Sequence, residues 1–167
     1  MEYRLDLNNL YKILELVGDY NCKLLPVIKG RDEEDILQLY NEGFREFGEN
    51  RLNELSDHAR FLPEARFHFI APLQSRKIRE IMNSCDFIHT LQRPKEILAI
   101  NECYENQDIF VQINIDDDPN KSGIKINEVD EFFDNFEGLK YFPVGIMCIP
   151  SFDADSESSF NMMSKIR

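Results

Sequence analysis

A lysine closing an apolar run is the first residue in this chain able to do chemistry. Lys29 ends Leu24-Leu25-Pro26-Val27-Ile28, a run of strand length, and is therefore expected at the C-terminal mouth of a strand. In (β/α) folds that face of the sheet holds the active site. A lysine there, partly withdrawn from water, can lose its proton and attack an aldehyde to form a Schiff base. Taken alone, such a lysine is more often a solvated strand end. Polar groups recur at the mouths of the strands that follow. Residues 47–50 (FGEN) end the second apolar run, 68–77 (HFIAPLQSRK) lead from the third into a helix, and Lys121-Ser122-Gly123 follow the fifth. Each has a plain structural alternative. Asn50 and Ser75 could cap helices, His68 could be a satisfied core histidine, and Lys77 could be a solvated helix residue. Asp116-Asp117-Asp118 lacks the glycine and the terminal glutamate of a calcium loop and reads as a solvated turn.

Positioning these residues requires strands alternating with helices. Leu7, Leu10, Ile13, Leu14 and Val17 recur at helical spacing over 7–17. A strand is expected at 23–29, then a helix over 32–42 with Asp32 as its cap and Gly43 as its stop. Strands at 44–48, 66–70, 86–90, 109–115 and 144–149 alternate with further helices, one of them opened by Pro94 and another carrying the stripe Val129, Phe132, Phe133 and Phe136. A last amphipathic piece carries Phe160, Met163 and Ile166. Such alternation gives βαβ units and a parallel sheet. No GxGxxG follows the first strand, so the dinucleotide fingerprint is missing. Strand centres advance by about 20 to 23 residues until a final step of 35, and the short uniform units favour a (β/α) barrel. A complete barrel needs eight units and usually ~250 residues, which leaves this chain two units short.

The 167 residues fit a single domain, 1–167, with a sizeable core. A net charge of −12 argues against a nucleic-acid binder, whose phosphate contacts need clustered Lys and Arg, and against docking on anionic membranes. No apolar run reaches the ~18 residues of a spanning helix. The start, MEYRLDLNNL, carries charges where a signal peptide needs an apolar core, so a cytoplasmic protein is expected. Cys22, Cys85, Cys103 and Cys148 show no metal-ligand spacing and are expected to be reduced thiols buried in the fold.

Several strings occur in order: 24–29, 47–50 with Glu54-Leu55, 68–77, Ile88-His89-Thr90, Val111-Gln112-Ile113-Asn114-Ile115, Lys121-Ser122-Gly123 and the run from Gly145-Ile146-Met147 to Ile149-Pro150. Together they resemble the pyridoxal phosphate homeostasis proteins of the YggS/PROSC type, relatives of the alanine racemase N-terminal barrel. The resemblance runs from about residue 5 to the end. It implies a TIM-barrel-like α/β fold with about six of eight βα units present, and pyridoxal 5′-phosphate (PLP) held as an aldimine on Lys29. Asn50, His68, Ser75 and Met147 would line the pocket. The function implied is vitamin B6 cofactor homeostasis with no substrate turnover. The family pattern has Ser before the lysine, Thr after it, and Gly and Asn at two later sites. This chain has Ile28, Gly30, Ala71 and Arg76 there. Relatives hold the cofactor phosphate after strands seven and eight, so weak or absent binding is expected here. The alternative is a member that has lost the cofactor and serves as a protein interaction module. An open six-stranded sheet leaves two unpaired edges, and a homo-oligomer or a partner chain is expected to cover them.

Overall fold

The computed structural model describes residues 5–20 and 22–166. Local signals place the first helices. Asp6 caps α1 (Leu7–Gly18) by accepting the Asn9 N–H at 3.1 Å, and Asp32 caps α2 (Glu33–Asn41) by accepting the Asp35 N–H at 2.9 Å. Each cap satisfies a donor that the first helical turn would leave unpaired. The sheet then builds from β1 (Glu46–Glu49), β2 (Arg66–Phe69), β3 (Phe87–Leu91) and β4 (Asp108–Asn114), paired in that order. Both β5 (Ile124–Lys125) and β6 (Gly145–Cys148) pair with β4, and every pairing is parallel. Between the strands run α3 (Leu52–Phe61), α4 (Ile78–Met82), α5 (Pro94–Cys103) and α6 (Val129–Asp134), and α7 (Ser156–Met163) comes last. The architecture is a parallel α/β sheet of about six strands, as the alternation predicts.

Burial divides the sheet into two faces. Phe47, Phe67, Ile88, Ile109, Val111 and Ile113 are buried with the apolar stripes of the helices, including Leu55, Ile78, Ile97 and Phe132. Between them in sequence stand Gly48, His68, His89, Phe110 and Gln112, as the period of two along a strand requires. They belong to the opposite face, the one a barrel would enclose. Pro94 occupies the start of α5, as expected, with Ile97 and Ile100 buried; Leu98 points away and is exposed.

The first expected strand is the main departure. Residues 23–29 form no ladder, and a single bridge joins Val27 to Gly48 of β1. The Gly48 N–H donates to the Pro26 carbonyl at 2.8 Å, and the Ile28 N–H donates to the Gly48 carbonyl at 2.9 Å. Pro26 has no N–H to extend the pairing, and a turn begins at Lys29, so the segment is an edge held at one point. Gly48 permits the close approach. A Cβ there would stand 3.2 Å from Val27 Cγ2, 3.5 Å from Leu25 Cδ2 and 3.6 Å from Ile70 Cδ1. The two-residue β5 was not legible, because only Ile124 in that stretch is buried. The cysteines also differ from expectation. Cys85 is buried, whereas Cys103 and Cys148 are half-buried and Cys22 is exposed; all four are free.

The bridge should be sensitive to volume at residue 48. Gly48→Val is expected to lower hydrogen-exchange protection of the Ile28 amide by at least about tenfold, leaving amides of β3 and β4 near their original protection. Unchanged protection at Ile28 would show that the close approach does not hold the segment.

Candidate functional site at the strand mouths

The register carries the inner face upward to a common mouth. Val27 lies opposite Gly48, and two residues further along the two segments stand Lys29 and Asn50. The Ile70 N–H donates to the Glu49 carbonyl at 2.9 Å, bringing the end of β2 beside Asn50. Across β4, Gln112 is paired with Met147 of β6. A cavity of about 200 Å³ opens among the residues that follow β2, β4 and β6, lined by Ile70, Pro72, Gln112, Lys121, Ser122 and Ile149.

Lys29 is exposed in a turn and makes no hydrogen bond or ion pair among the described residues. Asn50 neither caps nor begins α3. Its Oδ1 is buried and has no partner among the described residues, and the same is true of Gln112 Oε1 in the cavity wall. A buried amide oxygen without a donor is costly, so both atoms are able to accept from a bound group. The cation of the mouth is already engaged. Lys121 Nζ donates to Asp116 Oδ2 at 2.6 Å and to the Ile149 carbonyl at 3.0 Å. Asp116 Oδ2 also accepts the Ser151 N–H and hydroxyl, each at 2.8 Å, which ties the loop after β4 to the loop after β6. Lys121 and Ser151 together hold the Asp116 carboxyl below its ordinary range. The loop after β2 is fixed from β3, where the Thr90 hydroxyl donates to the Ala71 carbonyl at 2.6 Å.

His68 lies one layer beneath the mouth, in the row of Val27 and Gly48. It is buried, stacks on Phe87 with ring centroids 3.8 Å apart, and meets His89 through Nδ1 and Nε2 at 2.8 Å. Its other nitrogen is buried without a hydrogen bond and stands 3.8 Å from Glu46 Oε2. Burial pushes His68 down to about 3, helped by the nearby His89, Arg66 and Lys23, and burial also lowers His89. Both rings are therefore neutral near pH 7, one donating and the other accepting. At the foot of this face Arg66 covers the Phe87 ring and pairs with Glu46 and Asp108. Behind the mouth Glu49 is fully buried. Its Oε1 accepts the Asn50 and Arg51 N–H groups at 2.7 and 3.0 Å, while burial raises its carboxyl above the usual range.

The predicted residues thus occupy three levels. Lys29 opens the turn after the bridged segment, Asn50 follows β1 and Met147 lies in β6 opposite Gln112, His68 lies beneath them, and Ser75 begins an exposed helical turn at the far end of the loop after β2. Ser75 does not cap that turn; the capping position belongs to Gln74, whose side chain makes no cap bond. Sequence reasoning missed His89, Gln112 and Asp116 as members of the site. His89 and Gln112 were visible only as parts of ordered strings, since their roles depend on which strands become neighbours.

A family model described as the alanine racemase N-terminal domain matches residues 7–166. The chain is 33% identical over 156 residues to the pyridoxal phosphate homeostasis protein of Pasteurella multocida, covering 86% of this chain and 67% of that protein. The protein of the same name from Escherichia coli K12 is 32% identical over 156 residues, covering 83% of this chain and 64% of its own. The chain therefore spans about two thirds of the length of these curated relatives. In fold it resembles PipY of Synechococcus elongatus, solved without and with PLP, at TM-scores of 0.78 and 0.75. Identities are 22% and 20%, with 94% of this chain covered in both and 78% and 77% of PipY. No described helix is long and apolar enough to cross a membrane.

The neutral histidine pair sets an acid limit on stability. An unfolded histidine takes up its proton near pH 6.5, whereas folded His68 resists until about 3, so stability falls as pH drops through that window. The raised carboxyl of Glu49 works in the opposite sense, so the comparison must be with a variant. His68→Phe is expected to flatten the fall in urea midpoint between pH 6.5 and 4.5; an equal slope in both proteins would contradict the assignment.

Proposed function

The chain belongs to the alanine racemase N-terminal-domain family, and from that premise we propose that it is a cytoplasmic PLP-binding protein of vitamin B6 cofactor homeostasis. The observation that carries this reading is an exposed lysine, with no partner for its amine among the described residues, two positions beyond Val27, and the buried orphan oxygen of Asn50 two positions beyond the facing Gly48. The names of the relatives and the PLP-bound PipY structure support it.

PLP supplies an aldehyde that condenses with a primary amine, on a ring that carries a phosphate dianion. Lys29 presents the amine at the end of its segment. Asn50 and Gln112 offer acceptor oxygens to a donor on the bound molecule, a fit that their orphaned state favours. Met147 and Ile70 provide apolar surface, while Ser75 opens the exposed helical turn at the end of the loop after β2. His68 and His89 form a neutral floor that neither adds nor removes charge near pH 7. Lys121 and Ser122 are the donors within reach of an anion in the cavity, and Asp116 already takes part of the Lys121 charge. Weak retention of the phosphate follows, because each charge-assisted bond not made forgoes roughly 1.5–3 kcal/mol. The described residues supply attachment and orientation, and substrate turnover is not expected.

Incubation with PLP, borohydride reduction and peptide mapping should place the label on Lys29. Lys29→Ala should lose most of the visible absorbance band. Equal labelling and an equal band in that variant would refute the reading.

The free edge of β6 favours a second property. β6 pairs only with β4 among the described strands, and Val144 and Ile149 beside it are largely exposed, Ile149 at 62%. Such an edge invites another strand. Light scattering is expected to reveal self-association at micromolar concentration; a monodisperse monomer would count against it.

A further inference from the structure

One carboxylate ties the turn that carries Lys29 to the rest of the mouth. Residues 28–31 form a tight turn in which the Arg31 N–H donates to the Ile28 carbonyl at 3.0 Å. Its third residue, Gly30, has φ +67°, a left-handed conformation that glycine adopts at little cost. The Gly30 N–H donates to Glu54 Oε2 of α3 at 2.6 Å. The other oxygen of the same carboxylate accepts from Arg51 Nη1 at 2.5 Å. That guanidinium also comes within 3.9 Å of the point where a Cβ on Gly30 would stand, so it covers the same peptide. Arg51 first, and the Gly30 N–H second, hold the Glu54 carboxyl below its ordinary range.

We propose that Glu54 is the positioning residue for Lys29. It grips the peptide unit between Lys29 and Gly30 and so fixes the direction in which the lysine side chain leaves the backbone. The need for such a grip is local. The preceding segment is attached to the sheet by one bridge, and the lysine side chain has no bond of its own among the described residues. The grip is anchored at its other end. Buried Glu49 accepts the Asn50 and Arg51 N–H groups and thereby fixes the start of α3, from which Glu54 reaches across. One continuous set of bonds thus sets Lys29 relative to Asn50. Orientation of a reacting amine governs how readily it meets its partner. Among the described residues Glu54 bonds to the Gly30 N–H and to Arg51 and not to the Lys29 amine, which separates positioning from direct binding. The inference rests on the cofactor-binding reading above.

The test compares the full chain with Glu54→Ala and Glu54→Gln. It measures Lys29 label after borohydride reduction at fixed PLP, the thermal midpoint, and the chemical shift of the Gly30 amide proton. Glu54→Ala is expected to cut the Lys29 label about three- to tenfold, the modest end for a charge-assisted bond because Glu54 is partly solvated. Its thermal midpoint should stay near the parent value, and the Gly30 amide, shifted downfield by the carboxylate, should move upfield. Glu54→Gln keeps an acceptor without the charge and should recover part of the label. If Glu54→Ala fails to fold, the Gln variant carries the test and must label less than the parent. A labelled parent with equal labelling in the folded variants overturns this inference alone. A parent not labelled on Lys29 overturns the cofactor reading and this inference with it.

Discussion

Everything proposed for the mouth depends on the contact between residue 48 and the segment ahead of Lys29. Gly48 gives its N–H to Pro26 and its carbonyl to Ile28, and these two bonds make the bridge that brings the lysine segment to the sheet. The bare Cα of residue 48 eases that approach, since a Cβ there would press on Val27 Cγ2 at 3.2 Å. Parallel pairing converts that local fact into a site. With Val27 opposite Gly48, the next inward positions are Lys29 and Asn50, and the Glu49 carbonyl receives Ile70 from β2. A shift of one residue would turn Lys29 and Asn50 toward the helices, where Phe47 and Glu49 are buried.

Charge is handled in the same layered way. A chain of net charge −12 is a poor general host for an anion, so the local arrangement has to do the selecting. Arg66 is spent at the foot of the inner face among Glu46 and Asp108, and the histidine pair above it stays neutral. Cationic groups beyond the strand ends include Lys29, exposed and without a bond among the described residues, and Lys121, held by Asp116 and the Ile149 carbonyl. Glu54, which holds the Gly30 N–H beside Lys29, also accepts from Arg51, and Glu49 accepts the Asn50 and Arg51 N–H groups ahead of α3. Among the described residues no carboxylate pairs with the Lys29 amine.

Much of this was legible in the sequence, for identifiable reasons. Alternation of apolar strands with helical stripes gave the parallel α/β fold, and Lys29, Asn50 and Met147 could be placed at strand ends because each closes or nearly closes an apolar run. The weakness of the first strand was less visible: Pro26 removes a donor in the middle of a run that otherwise reads as continuous. His68 was read with two meanings, and its placement beneath the mouth follows from its register with Gly48, which no single strand reveals. Gln112 and His89 appeared only inside ordered strings, and Asp116 was read as part of a solvated turn, because their importance comes from partners 10 to 35 residues away. Periodicity reports which face a residue takes; it does not report what stands across from it.

The most direct measurement is a crystal structure of the chain grown with PLP. Density continuous with Lys29 Nζ, with the ring lying between Asn50 and the Gln112 wall, is the expected result. Density on another lysine, or a ring lying outside the mouth, would contradict the assignment of this strand end as the cofactor site.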